Sequence, residues 1–217
     1  MTRVDCYFDP VSPYAWLALR DLSRIEAANA SVRLVPVLFA GLLNAHGNIG
    51  PAELPAKRRY IFLDVMREAA RRGLPFVGPP GHPFNPLRAL RMCTALDDDG
   101  QRRALALALV TGCWERGEDI SDEAALARLA DGIGLDGAGL LASAGSADVK
   151  RRLAQTTAQA VADGVFGVPT FRVDGDAGVF WGGDRVEALF WQLRGGRIDE
   201  LALDAFLARE PLAQRRR

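Results

Sequence analysis

Cysteine is sparse in this chain: Cys6, Cys93 and Cys113 are the only three in 217 residues, and no C-x-x-C pair is among them. That scatter excludes an intramolecular redox dithiol and a disulfide framework, so each cysteine reads as a small buried apolar residue. Histidine is scarcer still, at His46 and His82, both in Gly/Pro-rich loops and both read as surface residues, not catalytic bases. With no H-E-x-x-H motif and no Cys/His cluster, no metal site is expected. Neither charge is in surplus. Against 27 Lys and Arg stand 27 Asp and Glu, which offers no field for nucleic acid or for an acidic membrane surface. The longest apolar run, Ala104 to Val110, is far short of a membrane span. Thr2 to Asp9 alternates and ends at Pro10, so it does not read as a signal peptide. G-x-S-x-G, Walker and strand-linked G-x-G-x-x-G motifs are also missing, which argues against serine hydrolases and nucleotide-binding enzymes. These absences together point to a protein of the reducing cytoplasm. The basic tail Arg215 to Arg217 reads as a solvated end.

What is present is half apolar and a quarter charged, enough for one large domain with a proper core. Val4, Cys6 and Phe8 alternate with Asp5 and Tyr7, the pattern of a strand. Ser12-Pro13 then reads as a serine cap with proline at the first helical position, and Ala15, Ala18, Leu22 and Ile25 follow at helical spacing. Ser31 to Phe39 alternates again, so the opening is β-α-β. Residues 41–55 read as a loop. Helical patterns follow over 55–72, 85–96, 101–116 and 122–132, separated by Gly, Pro and Asp clusters. Residues 147–163 are predicted helical with Ser146 as cap, and a strand runs from Val168 to Val173. Asp174-Gly175-Asp176 is a hairpin turn, and 178–181 is the returning strand. Asp184 is predicted to cap a further helix, Gly195-Gly196 to stop it, and 201–208 to form a helical tail.

The order β-α-β, helices, α-β-β-α is that of a thioredoxin fold, an α/β fold, interrupted by an all-helical insertion. Residues 1–40 with 146–217 are expected to build the thioredoxin-like part, and 41–145 the inserted part. Such folds place their sulfur chemistry at the start of the first helix, where free amides and the helix dipole stabilise a thiolate. Here that place holds Ser12-Pro13-Tyr14-Ala15. A serine cannot cycle between thiol and disulfide. Its hydroxyl has two readings: a helix cap, or a hydrogen-bond donor to a thiolate brought by another molecule. Val168-Pro169 likewise has two, an ordinary trans proline at a strand entrance or the cis-proline of a thioredoxin fold. In the second, the backbone of Val168 is turned outward, toward a peptide-like ligand.

Three motifs carry a family resemblance: Asp9-Pro10-Val11-Ser12-Pro13-Tyr14, Gly167-Val168-Pro169-Thr170-Phe171, and Phe180-Trp181-Gly182-Gly183-Asp184-Arg185. With them the chain resembles 2-hydroxychromene-2-carboxylate isomerase and kappa-class glutathione transferase, relatives within the DsbA-like group, over essentially its whole length. The resemblance implies glutathione as cofactor and an aromatic substrate for a glutathione-dependent cis–trans isomerase, with transferase or peroxidase chemistry as the alternative. It implies that Ser12, flanked by Pro13 and Tyr14, holds the glutathione sulfur. It also implies that Val168, before Pro169, pairs with the cysteinyl backbone, and that Gly183 and Asp184 hold the γ-glutamyl end. Asn48 and Lys57 correspond to a loop asparagine and a partner for the glycyl carboxylate. Asn85 is placed near the second substrate, with a helix cap as its other reading. The family's habit is a homodimer. Where kappa transferases tend to have serine, this chain has Gly183, which keeps backbone contacts and gives up a hydroxyl.

Overall fold

The computed structural model of the chain describes residues 1–176 and 178–213; the basic tail at 215–217 lies outside them. Strand β1 (Thr2–Phe8) leads through helices α1 (Pro13–Leu19) and α2 (Leu22–Glu26) to β2 (Ala30–Pro36). Helices α3 (Phe39–Ala45), α4 (Pro55–Arg71), α5 (Leu87–Ala95), α6 (Asp99–Arg116), α7 (Glu123–Asp131), α8 (Gly137–Gly145) and α9 (Ala147–Ala162) follow. The chain then returns through β3 (Thr170–Val173), β4 (Val179–Trp181), α10 (Val186–Leu193) and α11 (Glu200–Leu207). The sheet order is β2-β1-β3-β4, with β1 and β2 parallel and the other two pairs antiparallel. This is the expected thioredoxin order.

Alternation along β1 divides its side chains between two cores, as a pleat requires. Val4, Cys6 and Phe8 are wholly buried on one face, against Trp16 and Leu19 of α1, Leu105 and Trp114 of α6 and Leu189 of α10. Tyr7 and Val35 face the other way, onto Leu42 of α3, Ala160 of α9 and Val165. The first core is continuous from the sheet into the helices of 41–145: Trp16 and Trp114 stack at 6.4 Å between ring centroids. Covering both faces of β1 leaves its C-terminal end, at Phe8-Asp9, as the place where the chain emerges from the sheet into a turn.

Four elements differ from expectation. Phe39 begins α3 instead of ending β2, and most of 39–45 is helical where a loop was predicted. Leu42 is buried under the second core, so packing overrides the weak local pattern. The first helix is two, broken at Arg20-Asp21, with Leu22 and Ile25 buried in α2. Helix α8 was not expected from Gly-Ala-Gly-Leu-Leu-Ala-Ser-Ala-Gly, whose glycines oppose a helix. It forms because those small residues let it lie close on α5 and α7; a side chain at Gly137 would meet the Ala127 carbonyl at 2.4 Å. Strand β3 begins at Thr170, two residues after Val168.

Candidate functional site

The Asp9–Tyr14 turn joins β1 to α1, and its polar groups are nearly all engaged by named partners. Asp9 is 0% exposed, and its two carboxylate oxygens accept the Val11 and Phe39 N–H groups, each at 2.9 Å. Burial pushes its pKa up to about 7, against the opposing pull of those two amides. The Asp9 carbonyl accepts the Ser12 N–H at 3.0 Å. Further support arrives from far along the chain. The Trp114 indole N–H donates to the Pro10 carbonyl at 3.0 Å, and the His82 ring nitrogen Nε2 lies 2.9 Å from the Val11 carbonyl.

Ser12 is extended at φ −88° and ψ 119°, the conformation of a helix cap, and Pro13 follows at the first helical position. Its Oγ accepts the Ala15 N–H at 3.3 Å and donates to the Val168 carbonyl at 3.3 Å. Cap and donor are therefore the same hydroxyl. Its second partner belongs to the Val168–Pro169 peptide, which is cis. Ser12 and Val168 lie 156 residues apart in sequence, and the pairing of β1 with β3 brings them together. Tyr14 turns its phenol to Asp64 of α4 at 2.8 Å; burial first, and then that carboxylate, push its pKa above the ordinary phenol value.

Gly182 to Arg185 complete the cluster. The Gly182 N–H donates to the Pro169 carbonyl at 2.9 Å, and its φ of +107° is open to glycine and strained for other residues. Gly183 rests beside α1. A Cβ there would sit 3.7 Å from Ala18 Cβ and 3.8 Å from the Tyr14 carbonyl, an ordinary contact, so sterics do not demand glycine at 183. Asp184 does not cap α10, contrary to expectation. It lies in a short 3-10 turn, Gly183–Arg185, so α10 starts two residues later with Arg185 in the cap position. The Asp184 carboxylate instead pairs with Arg185 and is largely exposed.

Asn48 and Lys57 are exposed and, among the described residues, their side chains have no hydrogen bond or ion pair to this cluster. The loop of Asn48 is nevertheless moored beside it, because His46 Nε2 lies 3.2 Å from the Val165 carbonyl and the His46 ring stands edge-on to Phe166. Asn85 is exposed and its Oδ1 accepts the Leu87 N–H at 3.0 Å, but the cap position of α5 is held by Pro86, so Asn85 braces the turn before the helix without capping it. His82 departs from its surface reading: it is half-buried, with Phe62, Phe84 and Trp114 around its ring. Asp64 and Trp114 were not singled out from sequence, Asp9 was quoted only within a motif and His82 only as a loop residue, because nothing there marks residues so far apart as neighbours. All three cysteines are buried and free. Burial pushes the Cys93 thiol up to about 12 and those of Cys6 and Cys113 higher still, so the chain has no ready thiolate of its own.

The profile of the DSBA-like thioredoxin domain matches residues 3–194. The chain is 30% identical over 199 residues to glutathione S-transferase kappa 1 of Homo sapiens, covering 86% of this chain and 88% of that one. It is 32% identical over 197 residues to 2-hydroxychromene-2-carboxylate isomerase of Sphingobium xenophagum, covering 87% and 97%. A solved structure of 2-hydroxychromene-2-carboxylate isomerase superposes with a TM-score of 0.81 at 26% identity, over 95% of this chain and 100% of that one. Among the described residues, no helix is long and apolar enough to cross a membrane.

Proposed function

The chain belongs to the DSBA-like thioredoxin family, among the 2-hydroxychromene-2-carboxylate isomerases and kappa-class glutathione transferases, and from that premise we propose that it is a glutathione-dependent cis–trans isomerase. Its substrates on this reading are 2-hydroxychromene-2-carboxylate and trans-o-hydroxybenzylidenepyruvate, intermediates of aromatic degradation. The observation that carries the reading is the Ser12 hydroxyl. It stands where a dithiol member would place its reactive sulfur, 3.3 Å from the Val168 carbonyl, in a chain whose own thiols are buried.

The residues present fit glutathione. Ser12 is 8% exposed in a hydrogen-bonded turn, and its Oγ can turn its proton from the Val168 carbonyl to a thiolate. Val168 offers peptide groups to a peptide-like ligand, and the exposed Asp184 carboxylate suits an ammonium group. Bound glutathione supplies the nucleophilic thiolate whose reversible addition to a conjugated carbon permits rotation between cis and trans. The protein's share is to lower that thiol's pKa through the Ser12 donor and the Tyr14 amide at the start of α1, since Pro13 has no N–H and that of Ala15 is taken by Ser12. Val168 and the Gly183-Asp184 turn orient the tripeptide. Asn48 and Lys57 extend it toward the glycyl carboxylate, and the loop of Asn85 flanks the second substrate.

The same reading treats 1–40 with 146–217 as the thioredoxin-like part and 41–145 as its insertion, in a cytoplasmic homodimer. Calorimetric titration with glutathione, followed by a spectral assay on hydroxychromene carboxylate, tests it. Binding of glutathione and glutathione-dependent isomerisation are the expected results; no binding would end the reading. A second reading rests on the comparable similarity to kappa 1: binding without isomerisation, but with conjugation or peroxide reduction, would select it.

A further inference from the structure

We infer that His82, from the loop between α4 and α5, is a positioning residue for Ser12, holding the Val11–Ser12 peptide so that the hydroxyl meets the glutathione sulfur. The inference rests on the proposed glutathione site and adds to it a residue 70 positions downstream.

The peptide between Val11 and Ser12 is gripped at both ends. Its carbonyl lies 2.9 Å from His82 Nε2, and its N–H donates to the Asp9 carbonyl at 3.0 Å. A carbonyl can only accept, so Nε2 carries the proton and His82 is the Nε2–H tautomer. The peptide before it is held as well, its carbonyl on Pro10 by Trp114 and its Val11 N–H by Asp9. Of these holds, those of His82 and Trp114 come from the helical insertion. Two successive carbonyls of the turn are thus set by side chains outside the β-α-β unit. A hydroxyl whose partners lie at 3.3 Å loses its alignment when its backbone tilts by a few tenths of an ångström.

The other ring nitrogen explains why this residue stays neutral. Among the described residues, His82 Nδ1 is buried without a hydrogen-bond partner, and the ring is walled by Phe62 of α4 at 5.1 Å, Trp114 of α6 at 5.7 Å and Phe84 of its own loop at 6.3 Å. The charged group acting on it is Arg58 of α4, whose guanidinium donates to the His82 carbonyl at 3.2 Å. Protonation at Nδ1 would place an N–H without an acceptor among aromatic rings and beside a cation; burial chiefly, and Arg58 as well, lower its pKa from the ordinary histidine value against the opposing pull of the Val11 carbonyl. The Nε2–H clamp therefore persists as neutral imidazole through the neutral and alkaline range in which a thiolate is useful. The contribution of this neutral form to stability is present above about pH 6.5 and is lost as pH falls toward the depressed folded value.

Thiolate absorbance of bound glutathione against pH tests the inference on the parent, His82→Phe and His82→Gln. Phenylalanine keeps the aromatic packing and removes the N–H, whereas glutamine brings an N–H of similar reach. His82→Phe is expected to bind glutathione within about threefold of the parent, yet to raise the bound thiol's pKa by about one unit, roughly a tenfold loss of thiolate at neutral pH. His82→Gln should recover most of that loss. A His82→Phe complex that titrates like the parent, or a His82→Gln complex as impaired as His82→Phe, overturns the inference while leaving the glutathione site standing. A parent that binds no glutathione overturns both. Nitrogen NMR of the parent imidazole needs no variant: the Nε2–H tautomer with a depressed pKa is expected, and an Nδ1–H tautomer or an ordinary titration would sink the clamp even if both variants failed to fold.

Discussion

The two ends of the proposed glutathione site are built differently. Around Ser12, the carbonyls and amides of the turn are held by Asp9, His82 and Trp114, and the hydroxyl itself by Val168 and Ala15. Around Asn48 and Lys57 the side chains are exposed; the loop of Asn48 is moored chiefly by His46 on the Val165 carbonyl and by Asn48 N–H on the Leu43 carbonyl, and Lys57 lies in the first turn of α4. One end is held by hydrogen bonds within the chain; at the other the two side chains face solvent. Hydrogen-bond donors that stabilise a charge are most effective when they need no rearrangement. A carboxylate in solvent needs only a nearby cation. On the proposed reading, the difference in hydrogen bonding matches the difference in task.

The largest effect should come from the buried carboxylate beneath the rigid end. Asp9 has a pKa raised to about 7 by burial, above the usual value of 3.8. Its contribution to stability is therefore fully present below about pH 3.8 and lost as pH rises through about 7. Urea denaturation of the parent and Asp9→Asn at pH 4 and pH 8 should show the parent losing ground to the variant, by on the order of 4 kcal/mol at most. A difference between the two proteins that does not change with pH would show that the Val11 and Phe39 amides keep Asp9 ionised throughout.

Ser12→Ala should reduce glutathione-dependent turnover near neutral pH by about 10²-fold, as removal of one preorganised donor does elsewhere, with partial recovery at alkaline pH. Ser12→Gly supplies the control, because glycine retains most of the capping preference without the hydroxyl. Should Ser12→Gly match the parent in turnover and in thiol titration, the hydroxyl is a cap only and the contrast between the two ends loses its chemical meaning.

Smaller effects are expected where the site meets solvent. Asp184→Asn should weaken glutathione binding by about tenfold, the loss of one charge-assisted contact. Because Asp184 caps no helix, its thermal midpoint should stay where it was. Unchanged affinity in calorimetry would remove Asp184 from the site. Lys57→Ala should do least, a change in affinity of about two- to fivefold that shrinks with added salt, as exposed ion pairs do. A loss as large as that of Ser12→Ala would mean that the two ends are equally organised.

The legible parts of the site were those whose function is written in local backbone chemistry. Ser12-Pro13 announces a helix start, and it is one. Val168-Pro169 lies at the approach to a returning strand, and its peptide is cis. Asp184 was misplaced because Asp with Glu three residues on is a capping signature, yet Gly182-Gly183 permitted a tight 3-10 turn that displaced the helix start by one residue. His82 was misread because Gly and Pro on both sides signal an exposed loop, and sequence alone does not show that a loop folds back among aromatic rings.

By itself the sequence determined the order of the strands and of most of the helices, the absence of a C-x-x-C pair, and the serine at the first helix start. Those are matters of periodicity, residue type and capping, which act over a few positions. Only the tertiary structure decided what holds that serine. The Ser12 hydroxyl meets Val168 because β1 pairs with β3, and the turn before it is clamped by His82 and Trp114 because the helices of 41–145 share the sheet's core. Hydrogen bonds between residues 71, 104 and 156 positions apart have no period and no motif. They exist only once packing has brought their elements together, and packing is a property of the whole chain.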